Sequence, residues 1–209
     1  MKNIIIVGAG GLGRKVFSCL NRINKKNKEW NILGFIDDNL MAFEGVQIDS
    51  KIIGTISEYE RKYDNEYLAL AISDVKSKEI ISKKLKKKGG IFATIISPEA
   101  ILGDYITIGE GSIIMTPYNI ESGVRIGKFV TLLGSTIALD GIIGDYSTTA
   151  GFANLTNANI GKSVYVGSHV VITENLTIGD NSTIGVGSIV LKNVAANTKV
   201  FGYPARVFS

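Results

Sequence analysis

Residues 160–190 read IGKSVYVGSHVVITENLTIGDNSTIGVGSIV, and an aliphatic side chain returns at every sixth position: Ile160, Val166, Ile172, Ile178, Ile184 and Val190. An earlier run keeps the same step through Leu102, Ile108, Ile114, Ile120, Ile126 and Leu132. An α-helix returns a face every three to four residues and a strand every two, so neither produces this period. A sixfold step places one inward aliphatic on each short strand of a coil. Hexapeptide repeats of this kind predict a left-handed parallel β-helix of triangular cross-section. Gly commonly follows the aliphatic residue, as at Gly103, Gly109, Gly127, Gly161, Gly167, Gly179 and Gly185, and is read as favouring a tight corner.

Between the runs the ladder passes through Ile137, Ile143, Thr149 and Leu155, with five-residue steps at 132 to 137 and at 155 to 160. Each slip predicts a local distortion, which either marks a functional site or is a tolerated deletion.

Ahead of the coil the pattern changes. Asn3 to Val7 reads as a buried strand, Gly8-Ala9-Gly10-Gly11-Leu12-Gly13 as a glycine loop, and Val16, Phe17, Leu20 and Ile23 as the apolar face of a helix. Strand, loop and helix make a mononucleotide-binding unit, in which the helix N-terminus offers free N–H groups to a phosphate. Trp30 to Ile36 supplies a second strand, closed by Asp37 and Asp38 where such folds put an acid beside a ribose. Tyr67 to Ile72 supplies a third, running into Ser73 and Asp74 and then a helix, so that Ser73 and Lys78 are candidates to reach a diphosphate. Ser73 or Asp74 serves equally well as a helix cap. Ile91 to Ile96 reads as a last strand, and Pro98 as the hand-over. The fold class is therefore α/β plus all-β: a Rossmann-like βαβ domain over residues 1–97 and a left-handed parallel β-helix over residues 98–209.

Bulk properties narrow the function classes. The 209 residues are 45% hydrophobic, which supports burial rather than disorder. A single Cys excludes an internal disulfide, and Cys19 falls on the core face of the first helix. The apolar start is too short for a membrane span and lacks a signal-peptide cleavage pattern, so a cytoplasmic location without membrane insertion is expected. Residues 1–97 carry 17 Lys and Arg against 11 Asp and Glu, and residues 98–209 carry 6 against 8. The basic front half suits an anionic ligand, although the run Lys83 to Lys88 reads as a solvated helix end. A net-negative coil argues against nucleic acid, and no His/Cys cluster supports a metal. A dehydrogenase would need a second mononucleotide half. Tyr118 is read as a rim or interface residue.

Val7-Gly8-Ala9-Gly10-Gly11-Leu12-Gly13, Gly34-Phe35-Ile36-Asp37-Asp38 and Gly202-Tyr203-Pro204-Ala205-Arg206, in that order around a sixfold coil, resemble one family from end to end. It is the bacterial sugar acyltransferases of the sialic-acid O-acetyltransferase and nucleotide-aminosugar N-acetyltransferase type (NeuD/PglD). The resemblance implies a homotrimer, with a nucleotide-linked sugar on the front domain and acetyl-CoA along the groove between neighbouring coils. It places Gly10, Gly11 and Asp37 near the nucleotide sugar, and Gly202, Pro204, Ala205 and Arg206 at the coenzyme. Synthesis of surface polysaccharide or glycoconjugate is the pathway it implies.

The family also carries a base His, and here the chain departs from it. Leu139 stands at that position, Thr148 at that of a second His and Ser97 at that of a third; the single His of the chain is His169. Acyl transfer needs a group to take the proton of the acceptor. Three readings stand open: an acyltransferase with a relocated base, His169 or Asp140; one that works by positioning alone; and a non-catalytic sensor or scaffold for nucleotide sugar.

Overall fold

The computed structural model describes residues 1–115 and 119–208, and Tyr118 lies outside them. The front of the chain forms a parallel sheet of β1 (Lys2–Val7), β2 (Trp30–Ile36), β3 (Ile52–Gly54) and β4 (Glu66–Leu70), in the order β3-β2-β1-β4. Helix α1 (Gly11–Lys26) links β1 to β2, and α2 (Val75–Lys87) follows β4. Ile4, Ile6, Val7, Leu68, Ala69 and Leu70 are buried, as a sheet covered on both faces requires. Cys19 is buried in the core beside Val16 and Leu20, and burial pushes its thiol pKa up. Strand β3 escaped the sequence reading because its three residues are too few to show a period.

Beyond the front sheet the chain winds into a left-handed parallel β-helix whose two- and three-residue strands stack into three faces. The first face runs from Ile95–Ile96 through Ile113–Ile114, Thr131–Leu132, Thr148–Thr149, Tyr165–Val166 and Thr183–Ile184 to Lys199–Phe201. The second carries Ser135–Ile137, Ala153–Leu155, Val171–Ile172 and Ile189–Val190, and the third Arg125–Ile126, Ile142–Ile143, Asn159–Ile160 and Thr177–Ile178. The sixfold aliphatics from Ile114 to Val190 are buried in one core cluster, with Ile108 partly buried against it and Leu102 exposed.

The segment 91–96 corrects the sequence reading. Only Phe92 bridges to the front sheet, at Leu68, whereas Ile95–Ile96 pair with Ile113–Ile114 as the first rung of the coil. A continuous apolar run is equally good for either sheet, and tertiary contacts divide it.

The glycines that follow the aliphatics have a different reason from the one expected. The left-handed backbone falls two residues later in the repeat, at Tyr105, Phe129, Asp140, Tyr146, Phe152, Ser163, His169, Asn175 and Asn181 among others. There the corner amide turns toward the preceding coil, as Tyr146 N–H donates to Lys128 O (2.8 Å) and His169 N–H to Gly151 O (3.0 Å). The glycines answer instead to close stacking: a Cβ on Gly167 would stand 2.7 Å from the Val186 backbone nitrogen. Both predicted slips fall at corners, next to Gly134 (φ 127°) and at Asn157 (φ 42°), so the rungs on either side stay paired.

Helix α2 seats the front sheet on the first face of the coil. Phe129 packs edge-on to Phe92 and stacks on Tyr146, with ring centroids 4.9 and 5.3 Å apart. Glu79 pairs with Lys83 (2.8 Å) and with Lys162 of the coil (3.1 Å), and both hold its carboxyl below the usual range. The lysine run is therefore not wholly solvated: Lys86 pairs with Glu110 and lies over the Phe129 ring, and Lys88 donates to the Tyr59 carbonyl.

Lys78 is also corrected. It does not reach toward the glycine loop but is 1% exposed, its Nζ donating to Thr148 Oγ1 (2.7 Å) and Thr131 Oγ1 (3.0 Å) and lying 3.3 Å from the Tyr146 and Ser147 carbonyls. Its place on the inner face of α2 aims it at the coil. Burial lowers its pKa to about 7, while Asp74 opposes the shift. A folded pKa below the unfolded one means that the unfolded chain binds more protons between the two values, so this group costs stability below pH about 7 and the cost is relieved toward pH 10.5. Melting temperature is accordingly expected to rise more steeply with pH over that window in the wild type than in Lys78→Met; parallel curves would contradict this.

Candidate functional site

The front sheet has a switch point. From β1 the chain leaves through α1 toward β2, whereas from β4 it leaves through α2 toward Phe92 on the opposite flank. Ligands of open α/β sheets bind at the carboxyl ends of strands where the winding diverges. That point is bounded here by Gly8 to Gly11 and by Ser73.

The glycines divide into two kinds. Gly8 has φ +99°, and a Cβ there would stand 2.8 Å from the Ala71 carbonyl oxygen; a Cβ on Gly13 would run into the Gly8 carbonyl oxygen. These two close the turn and bring α1 against it. A Cβ on Gly10 or Gly11 would meet nothing within 4 Å. Their backbone is bare toward open space.

The two helix starts differ as well. Gly10 caps α1 with no side-chain hydrogen bond and no acid in the first turn, so its first amides and dipole are open to an anion. Asp74 caps α2, its carboxylate accepting from Ser77 N–H (2.8 Å), which holds its pKa down. Of the two offered capping residues, Asp74 is the cap. The exposed Ser73 instead accepts at its carbonyl from Thr148 Oγ1 (2.9 Å).

Asp37 and Asp38 lie beside the glycine loop. Asp37 accepts from Ala9 N–H (2.7 Å) and Asn39 N–H (2.8 Å), so one oxygen holds the glycine loop and the other the turn after β2. Asp38 accepts from Ile56 N–H (2.9 Å) and steers the chain into the segment after β3.

On the coil, the two candidate bases stand on different edges. Asp140 lies at the corner between the second and third faces, next to Leu139, which is 55% exposed and donates its amide to Glu121 Oε2 (3.0 Å). His169 lies at the corner between the first and second faces. Its ring stacks on that of Phe152, one turn earlier on the same edge, with centroids 4.9 Å apart and planes 12° apart. The next turn of that edge, Gly187, donates to Ser168 O, and Ser188 Oγ accepts from Gly202 N–H (3.1 Å).

The C-terminal segment folds back as an antiparallel hairpin of Lys199–Phe201 with Arg206–Val207, and Ala205 N–H donates to Ile189 O (2.8 Å). One edge thus gathers His169 and the stretch Gly202, Pro204, Ala205 and Arg206, and excludes Asp140. The sequence reading missed Phe152 and Glu121. Phe152 was legible as the residue one shortened turn, 17 positions, before His169. Ser97 is buried at the start of the coil, its hydroxyl donating to Glu99. Among the described residues no helix is long and apolar enough to cross a membrane.

The two kinds of glycine separate in a melt. Gly13→Ala is expected to destabilise by about 1–3 kcal/mol or more through overpacking, whereas Gly11→Ala, on an open helix turn, stabilises by up to about 1 kcal/mol. Equal melting temperatures for the two variants would refute the division.

Residues 3–85 match the model of the PglD N-terminal domain family. The chain is 32% identical over 167 residues to GDP-perosamine N-acetyltransferase of Escherichia coli O157:H7, covering 78% of this chain and 74% of that protein. Among solved structures, WeeI from Acinetobacter baumannii AYE aligns over 100% of both chains at 28% identity with a TM-score of 0.86. The acetyltransferase domain of PglB from Neisseria gonorrhoeae FA1090, solved with acetyl coenzyme A, shares the fold over 99% of both chains at 21% identity and a TM-score of 0.88. The relatives compared give the sensor or scaffold reading no support. A mononucleotide-type sheet with an open helix end, seated on a sixfold coil that closes in the Gly202–Arg206 hairpin, and these matches make the chain a member of the NeuD/PglD family of sugar acetyltransferases.

Proposed function

We propose that the protein transfers the acetyl group of acetyl-CoA to the amine of a nucleotide-linked sugar, with residues 1–97 holding the nucleotide sugar and residues 98–209 carrying the transfer. The observation that carries this reading is the uncapped α1 N-terminus at the switch point, bare at Gly10 and Gly11. In it the diphosphate takes the free amides of the first α1 turn, Gly8 and Gly13 keep the turn closed, Asp37 holds the loop in shape and Asp38 and Ser73 flank the ligand. An amine acceptor is favoured because the Escherichia coli relative is named as an N-acetyltransferase of GDP-perosamine.

The coenzyme lies along the edge that ends in Gly202, Pro204, Ala205 and Arg206. His169 is the base, since it shares that edge and its ring is oriented by Phe152. The sugar amine attacks the thioester carbonyl, the C–S bond breaks, the amine proton passes to the imidazole, and the thiolate leaves as the thiol after protonation. A second reading gives the proton to Asp140, because it adjoins Leu139 at the position where the family carries its His. The coils assemble as a homotrimer, an assembly supported by the exposed Phe152, Phe201, Tyr203 and Val207 near the C-terminal end.

The test is thiol release from acetyl-CoA with a panel of GDP-, UDP- and CMP-linked amino and hydroxy sugars. His169→Ala is expected to lower kcat/KM by about 100-fold or more, and Asp140→Asn to leave it within a few-fold; the reverse pattern moves the base to Asp140. Gly11→Ala is expected to keep the fold but weaken nucleotide-sugar binding in calorimetry. Absence of release with every acceptor would refute the assignment.

A further inference from the structure

Lys78 is among the largest fully buried side chains of the protein, and among the described residues no carboxylate is hydrogen-bonded to it. Burying an amine among oxygens is costly, and a Leu or Met on the inner face of α2 would fill the same space without the cost. What the amine adds is direction. Its Nζ donates to Thr148 Oγ1 (2.7 Å), and the Thr148 hydroxyl in turn donates to the Ser73 carbonyl (2.9 Å). The relay leaves the front module at Lys78, crosses to the coil at Thr148 and returns to the front module at Ser73. Thr148 itself is fully buried, so the Lys78 link is shielded from water, where a hydrogen bond is stronger, whereas the link to the exposed Ser73 is part-buried at the rim.

Ser73 lies three residues beyond the end of β4, at the switch point, and with Asp74, Val75 and Lys76 it forms one wall of a groove of about 670 Å³. The other wall is the first face of the coil, with Tyr165, Thr183 and Lys199. Other contacts between α2 and the coil, such as Glu79 with Lys162 and Lys86 with Glu110, lie along the helix and hold its body. The link through Thr148 is tied to the peptide at the mouth of the groove.

We propose that Lys78 is a positioning residue: through Thr148 and the Ser73 carbonyl it sets how closely the nucleotide-holding edge of the front sheet approaches the coil, and so where the acceptor sugar is presented. It does not touch substrate. This rests on the assignment of that edge to the nucleotide sugar.

Two variants and two readouts test it. Lys78→Met keeps the volume and removes the donors; Thr148→Val keeps Lys78 and cuts the link to Ser73 with little change of shape, which preserves the test if the first variant fails to fold. Hydrogen exchange of residues 73–79 needs no substrate. It is expected to speed up several-fold in Thr148→Val while the melting temperature stays near that of the wild type, and unchanged exchange overturns the relay. In steady-state kinetics both variants are expected to raise KM for the nucleotide sugar about tenfold, with kcat and KM for acetyl-CoA within about twofold. A fall in kcat at unchanged sugar KM, or equal rises in both KM values, overturns the positioning role. A wild type that binds no nucleotide sugar in calorimetry and releases no thiol refutes the substrate assignment instead, and the exchange result still decides the relay.

Discussion

A coil of two-residue strands holds together only if its corners can turn sharply without leaving backbone groups unpaired. Placing the corner residue in the left-handed region does both, because it redirects the chain and aims the corner N–H at the carbonyl of the coil beneath, as at Tyr146, Ser163, His169 and Asn181. Non-glycine residues in that region are strained, and the strain is tolerated because every turn above and below repeats the constraint. With the corners set, the rungs from Ile114 to Val190, Thr148–Thr149 excepted, each deliver an aliphatic side chain to the interior and pair with their neighbours in register. The rigid prism that results is the reference against which the rest of the molecule is positioned.

That rigidity gives the seat of the front sheet its importance. One face of the coil is covered over its early turns by α2 and the Phe92–Phe129–Tyr146 ring ladder, and uncovered further on. The carboxyl edge of the sheet therefore opens next to a face that is still accessible, with Ser73 on one side and the later rungs on the other. The corner edges of the prism then separate the chemistry: one carries Asp140 and Leu139, another His169 and the terminal hairpin. A single chain presents the two groups apart.

Much of this was legible in the residues. The sixfold period implied the coil, and the GxGxxG loop between strand and helix implied the front unit, because both signals are local and periodic. Less legible were features that depend on what lies across a gap. Lys78 looks in sequence like a helix lysine near a phosphate site, and only the docking of α2 onto Thr131 and Thr148 shows that its side chain points the other way. The glycines after each aliphatic pointed correctly to a coil for a reason that proved to be the approach of the next turn. Ile91 to Ile96 is one apolar run shared between two sheets.

Sequence alone thus determined the two architectures, their order along the chain and the family, since these follow from spacing and identity within short windows. Tertiary structure decided which glycines are bare toward solvent, which edge each candidate base occupies and which oxygens surround Lys78. Those depend on how turns 17 or 18 residues apart stack and on how one module docks on another. A side chain acquires its neighbours across such distances only once the chain has folded.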